Sequence, residues 1–468
     1  MTNAEYPPSW VNDTNAALLT DLYELRMLQA YWKEGLDAPA VFTLYTRELP
    51  SARNYLIAAG LADVLRYLAS FAFPPEGIAY LRQLSQFSEA FLDWLADLRF
   101  TGMVDALPEG TPFFAGEPVL QVTAPLPEAQ VVETFILNQI HHQSVMASKA
   151  ARIVDAAMGK PVLDFGLRRM HGTDAGVKSA RAYALAGIPA TSNTLAGHAY
   201  GLPVAGTMAH SYVQVHASEL EAFRRYAELF PDTILLVDTY DCHEGIRTVI
   251  QLAREMGDRF AISGIRIDSG DLVALARSAR EMLDEAGLSQ LKVFVSGSLD
   301  EHAITALEDS GAPIDGYGVG TRMAVSSDAP SIDFVYKLSE YQGRGRIKSS
   351  PGKESYPGRK QVFREFHEDS AHRDTIGTAT ESLPGKPLLH RVMTEGRTLP
   401  KQNRSWTQMA ADTRREIESL PASIRSLQPA SPPYPVRLSG ALQAQFEALR
   451  EEQKKSPPGQ NPGGDRSD

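Results

Sequence analysis

Between Val162 and Val319 the sequence repeats one unit: a short run of apolar or small residues, a few polar residues, then a helical stretch. The runs are Val162 to Phe165, Ile188 to Thr191, Val204 to Met208, Ile234 to Asp238, Phe260 to Ile267, Val293 to Val295 and Tyr317 to Val319. Most begin roughly 25 to 30 residues apart, the length of a strand, a helix and two loops in a parallel β/α barrel. The interval between the second and third runs is much shorter, so one connecting helix must be reduced and the barrel irregular. Seven strands are expected. Ser218 with Glu221 and Ser298 with Glu301 have the Ser-x-x-Glu spacing of a capping box, which predicts helix starts just after strands.

The rest of the chain reads differently. Ala16 to Tyr31 carries Leu18, Leu22, Leu25 and Leu28 at helical spacing, with Asp21 and Glu24 suited to the helix start. From Val41 to Gln121 short β-like runs mix with helical segments such as Ile78 to Leu98. After about Val335 the chain is basic and glycine-rich, then returns to a helix near Leu438 to Leu449. The expectation is an α/β protein: an α+β flanking domain from residues 1–135 and 336–450, an irregular parallel β/α barrel at 136–335, and a disordered tail at 451–468. The tail's Pro, Gly and charge leave almost nothing to offset its ordering entropy.

Composition narrows the function classes. A net charge of −11 over 468 residues offers no broad basic face for a nucleic-acid backbone, so phosphate binding is expected at local sites. No apolar run approaches the roughly 20 residues of a membrane-spanning helix. Cys242 is the single cysteine, which excludes an intramolecular disulfide or thiolate cluster and fits a reducing compartment. Residues 1–10 have no feature of a secretory leader. A cytoplasmic protein acting on small molecules is expected, with neither nucleic acid nor membrane as partner.

In a β/α barrel the site lies where the strands end. The polar and glycine residues at or just beyond the end of each run are Asp164, Arg168, Arg169 and His171; Ser192 and Asn193; His210 and Ser211; Asp238, Tyr240 and Asp241; Arg266, Asp268, Ser269, Gly270 and Asp271; Ser296, Gly297 and Ser298; then Gly318, Gly320 and Thr321. Arginines, carboxylates and one histidine on a glycine- and serine-lined mouth suit phosphorylated ligands. Gly297 and Ser298 precede a helix whose start favours an anion, and the glycines on the last run match the usual barrel phosphate position. Each feature also has a plainer reading: a glycine turn, a hydrogen-bonded structural His210, a helix-capping Asp271. Asp241 with His243, and Asp268 with Asp271, are candidates to bind a magnesium–pyrophosphate, since hard carboxylate oxygens suit that ion and its other positions are filled by phosphate and water. Arg266, two residues before Asp268, points to the same side of its strand.

Taken together, Leu19 to Tyr23 (LTDLY), Arg53 to Leu61 (RNYLIAAGL), Ser148 to Ile153 (SKAARI), Phe165 to Arg169 (FGLRR), Gly206 to Ser211 (GTMAHS), Gly264 to Leu272 (GIRIDSGDL), Val295 to Ser298 (VSGS) and Gly318 to Arg322 (GVGTR) closely resemble the nicotinate phosphoribosyltransferase family, to about Arg450. The resemblance implies a type II phosphoribosyltransferase-like barrel that forms nicotinate mononucleotide and pyrophosphate from nicotinate and phosphoribosyl pyrophosphate, with Mg2+ and coupled ATP hydrolysis, in NAD salvage. It implies that ATP phosphorylates His210. It also implies a homodimer in which Tyr23 reaches the partner's site and stacks on the pyridine ring opposite Phe165. Arg168 and Arg266 would lie near the ring and its carboxylate, Asp268 at the ribose hydroxyls, with Arg169, Ser211, Asp241, Ser269 and Gly270 as further substrate contacts. The 5′-phosphate would sit at Gly297, Ser298, Gly318, Gly320 and Thr321. Glu24, Arg26, Met170 and His171 depart from the family pattern beside this site.

Asn193 bears on the choice of substrate. Nicotinamide-using relatives resemble this barrel but carry an aspartate there. Two like charges about 4 Å apart at an effective dielectric near 20 repel by about 4 kcal/mol, close to a thousandfold in affinity. A neutral Asn193 predicts nicotinate. The competing readings are a nicotinamide or quinolinate phosphoribosyltransferase, and a non-catalytic barrel that binds phosphorylated metabolites.

Overall fold

The structure is a computed structural model that describes residues 11–350, 352–400 and 404–455. The chain divides into two compact units, one formed by the segments up to Val145, Ser331–Arg404 and from Arg415 onward, the other by Met146–Pro330 with Ser405–Arg414. The sequence boundaries of 135 and 335 compare with 145 and 331, and the return of 405–414 to the second unit has no counterpart in the sequence reading.

The first unit is built on a seven-stranded sheet that interleaves early and late segments. Strand Pro39–Thr46 lies between Leu120–Pro125 and Phe334–Tyr341, antiparallel to both. Buried on nearly every residue, it reads as a continuous apolar run, and Phe42 stacks on Tyr336 with ring centroids 4.9 Å apart. A four-stranded sheet adds Lys360–His367 and Ser370–Thr378. Across that pair the fully buried Arg364 and Asp374 meet at 2.6 Å.

In this unit the expected N-terminal helix is broken. Ala16–Leu18 is a single 3-10 turn and the α-helix runs Leu22–Glu34. Asp21 stands at the N-cap in extended conformation, but its carboxylate accepts from Thr134 Oγ1 at 2.9 Å instead of capping. The helix stops at Gly35, whose φ of +68° suits a residue without a side chain. At the other end of the chain the helix Gly440–Lys455 carries the first residues of the expected tail into regular structure; 456–468, like 1–10, lie outside the described residues.

The second unit holds a curled parallel sheet of six strands, in the spatial order Ala190–Thr191, Val162–Asp164, Gly316–Val319, Lys292–Ser296, Gly264–Ile267 and Ile234–Leu236. First and last strands in the sequence are neighbours, as in a barrel. The expected third strand, Val204–Met208, is not formed: only Val204 bridges to Thr191. Pro203 and Gly206 flank that contact, one without an N–H and the other without a side chain to pack, and both weaken pairing. The barrel is therefore open along a seam between 204–208 and Ile234–Leu236.

Helices follow the strands, and short polar side chains start them. Ser218 accepts from Glu221 N and Asp271 from Ala274 N, as their spacing predicts. Ser298 does not cap. The helix Glu301–Asp309 is capped by Asp300, which accepts from Ala303 N at 2.9 Å, while Glu301 is fully buried in ion pairs.

Candidate functional site

The strand-end residues of the second unit line a cavity of about 850 Å3. Phe165, Arg168, Arg169, Ser192, His210, Ser211, Arg266, Asp268, Ser296, Gly297, Ser298, Gly318, Gly320 and Thr321 all border it. Fourteen residues from six separate chain segments thus face one space, which their order in the sequence alone does not require.

Arg266 organises the centre. Its Nε donates to Thr207 Oγ1 (3.1 Å), Nη2 to the Met208 carbonyl (3.0 Å), and Nη1 to Asp268 Oδ1 (3.0 Å) and Ser296 Oγ (2.9 Å). The guanidinium therefore spans the seam that the missing strand leaves, a task its planar set of donors suits. It also lies over the Phe165 ring, 5.8 Å from the centroid. Gly318 makes room for that ring, since a Cβ there would stand 2.5 Å from it.

Asp268 is held from three sides. Ser296 Oγ donates to its Oδ1 at 2.5 Å alongside Arg266, and its own backbone N–H donates to Asp238 Oδ2 at 2.9 Å. Ser269 Oγ donates to the same Asp238 oxygen at 2.8 Å, while Asp238 Oδ1 is buried with no hydrogen-bond partner among the described residues. His210 opens the short helix His210–Gln214, and its Nδ1 lies 3.2 Å from Thr239 Oγ1 across the seam. One ring nitrogen is thereby oriented, and the other has no hydrogen-bond partner among the described residues.

Two loops form the glycine-rich wall. Gly297 and Ser298 have successive φ values of +97° and +52°, a sharp turn that presents backbone N–H groups to an anion. Asp300 already caps the helix beyond, so the donors this wall could offer an anion are the loop amides. Asp300 also pairs with Arg322 at 3.3 Å, beside Gly320 and Thr321.

Seven further candidates stand elsewhere. Asn193 is buried and caps the helix Thr194–Tyr200, accepting from Ala196 N while its Nδ2 donates to the Gly176 carbonyl; it does not line the cavity. Asp241 caps Cys242–Met256 by accepting from Glu244 N, and His243 bonds Ser278. Ser269 is held by Asp238 and Gly270 is exposed with φ +91°. Tyr23 belongs to the first unit and is 50% exposed, on a helix whose Glu24 is fully buried and accepts from Gln130 Nε2 at 2.8 Å. His171 is exposed. Thr207 and the Met208 carbonyl, as anchors of Arg266, went unread in the sequence; the only hint was their place in the GTMAHS motif.

The family model for the nicotinate phosphoribosyltransferase N-terminal domain matches residues 18–141, and the model for the nicotinate phosphoribosyltransferase family matches 161–361. A nicotinate phosphoribosyltransferase of Mycobacterium tuberculosis is 52% identical over 435 residues, covering 93% of this chain and 94% of that protein. The chain belongs to the nicotinate phosphoribosyltransferase family. A Bacillus subtilis nicotinate phosphoribosyltransferase is 42% identical over 370 residues, covering 77% of this chain and 76% of its own length. The crystal structure of human nicotinic acid phosphoribosyltransferase matches with a TM-score of 0.83 at 29% identity, over 92% of this chain and 99% of that one. Except for residue 351, both family segments fall within the described residues, and the 161–361 match contains every cavity residue named above.

Proposed function

We propose that this chain transfers the phosphoribosyl group of phosphoribosyl pyrophosphate to the ring nitrogen of nicotinate, releasing pyrophosphate, with ATP hydrolysis coupled through His210. The observation that carries this reading is the gathering of Phe165, Arg266, Asp268, His210 and the two glycine loops on one cavity in a member of this family. The pyridine nitrogen attacks the anomeric carbon as the bond to pyrophosphate breaks, so positive charge grows on the ribose and negative charge on the leaving group. Asp268, already oriented by Ser296 and Arg266, meets the first need. Arg168 and Arg169, whose guanidinium groups form no hydrogen bond or ion pair with the described residues, meet the second. Phe165 offers a flat face to the ring, and the amides after Gly297 and Gly320 offer donors to the 5′-phosphate.

Mg2+ would arrive with the pyrophosphate, held mainly by phosphate oxygens and water. The unpartnered buried Asp238 Oδ1 is a hard oxygen that fits such an ion, whose chemistry is to neutralise the departing charge. ATP would transfer its γ-phosphoryl group to the free ring nitrogen of His210 and leave as ADP; water then releases phosphate. The dianion formed on His210 would sit beside Arg266 and Arg168 and reorganise them. Selectivity for nicotinate is favoured by this cationic wall. Asn193 serves it through the charge it lacks, since its amide is spent on a helix cap and does not line the cavity. A homodimer that brings the exposed Tyr23 to its partner's ring pocket completes the reading, in NAD salvage.

The test mixes purified protein with nicotinate, phosphoribosyl pyrophosphate and Mg2+, with and without ATP, and follows mononucleotide and pyrophosphate. ATP should raise the yield of product, and His210→Ala should abolish both ATP hydrolysis and that gain. Coupling that survives in His210→Ala rules out the phosphohistidine. Equal turnover of nicotinamide rules out the substrate choice.

A further inference from the structure

Beneath the two glycine loops lies a cluster of four charged residues that the proposed chemistry does not use. Lys149 is 1% exposed and Glu301 fully buried, their charged atoms 2.5 Å apart. The same ammonium reaches Asp328 Oδ1 at 2.7 Å, and Arg152 Nε donates to the other Glu301 oxygen at 3.0 Å. Lys149 and Arg152 lie on the long helix Glu133–Ala156, within the SKAARI motif. Glu301 is the first residue of the helix that follows Gly297 and Ser298. Asp328 lies in the turn after the short helix Thr321–Ala324 that follows Gly320.

Burying two cations and the Glu301 carboxylate, with Asp328 half-buried beside them, is costly, and a well-packed apolar cluster would serve stability as well or better. What such a cluster can supply is geometry. Lys149, with three donors on one nitrogen, joins an acid from the Gly297 loop to an acid from the Gly320 loop and anchors both to a single helix. Asp300 and Arg322 join the same two loops a second time. The loops are therefore cross-linked at two levels, while neither Lys149 nor Glu301 lines the cavity.

We propose that Lys149 is a positioning residue that fixes the spacing between the Gly297 and Gly320 loops, so that both address one phosphate group of the sugar phosphate. This rests on the functional reading above. Phosphate binding needs donors from two walls at one separation, and a shift of about 1 Å in such a constellation is enough to lose much of its effect. Nicotinate binding depends on Phe165 and Arg266, which the cluster does not touch.

The discriminating variant is Asp328→Asn, which keeps the shape and leaves Lys149, Glu301 and Arg152 paired. Its KM for phosphoribosyl pyrophosphate should rise about tenfold while the KM for nicotinate stays within twofold and the melting temperature changes little. Asp328→Glu, which restores the charge, should recover most of the loss. Calorimetric binding of inorganic pyrophosphate to wild type and variant runs in parallel and should weaken to a similar degree. An unchanged KM, or an equal loss for both substrates, overturns the positioning role. If wild type binds pyrophosphate and the variant binds it less well, yet wild type does not turn nicotinate over, the substrate assignment fails and the positioning role stands.

Discussion

Replacing Gly297 by alanine tests how tightly the site is built. The Cβ would stand 2.0 Å from the Asp268 carbonyl oxygen, where real contacts do not fall below 3.0 Å, so the two segments must part by at least 3.0 − 2.0 = 1.0 Å. Nothing at the far side of this contact is a flexible side chain: the atom struck is backbone, and it belongs to the residue that Arg266 and Ser296 hold in place. A displacement of about 1 Å in a catalytic group costs on the order of a hundredfold in rate. The φ of +97° at Gly297 adds about 1 to 2 kcal/mol of backbone strain for any residue with a Cβ. Gly287→Ala separates the two effects, since Gly287 has a φ of +75° but nothing within 4 Å of its Cβ. Steady-state assays with nicotinate and phosphoribosyl pyrophosphate, alongside thermal melts, should show both variants destabilised but only Gly297→Ala slowed about a hundredfold. Wild-type kcat/KM in Gly297→Ala would refute the idea that the loop is packed against Asp268.

Other perturbations have definite signs. Arg266→Lys replaces a planar fork that makes four hydrogen bonds with a single ammonium; with charged hydrogen bonds worth about 1.5 to 3 kcal/mol each, the loss of two should lower kcat/KM by at least a hundredfold, and activity within tenfold of wild type would contradict the seam-spanning role. Glu219 has its pKa raised to about 7 by burial and by Asp238 and Asp241. The folded chain then keeps that proton up to about pH 7, whereas the unfolded chain gives it up near 4.5, so stability falls as pH rises through this window. Glu219→Gln should accordingly gain melting temperature relative to wild type between pH 5 and 8, and a constant difference would dismiss the shift. In the first unit, Asp374→Ala leaves the buried Arg364 without its carboxylate and should cost about 3 to 5 kcal/mol in denaturant unfolding; a loss under 1 kcal/mol would show that the pair contributes nothing.

How much of this was legible in the sequence depended on how local the cause is. Arg266 and Asp268 were readable because they stand at the end of an apolar run, which in a parallel sheet is where a site lies, whereas Phe165 was legible only through the FGLRR resemblance. Val204–Met208 was misread as a strand for the same reason: an apolar run looks alike whether or not a neighbour pairs with it, and Pro203 with Gly206 decided against pairing. Asn193 and Asp241 show a second limit. A short polar side chain after a strand is equally fit to bind a ligand or to cap the next helix, and the structure spends both on caps. The capping box at Ser298 failed because Asp300, two residues later, is the better acceptor and Glu301 is drawn inward by Lys149. Contacts such as Arg266 with Thr207, or Arg364 with Asp374, join residues whose proximity no periodicity encodes.

A structure of the protein with nicotinate mononucleotide bound tests the central claim most directly. The account predicts the pyridine ring on Phe165, the ribose hydroxyls at Asp268, and the 5′-phosphate between the Gly297 and Gly320 loops. A nucleotide found anywhere else, for example in the apolar cleft of about 220 Å3 beside Trp406 and Leu202, would contradict it.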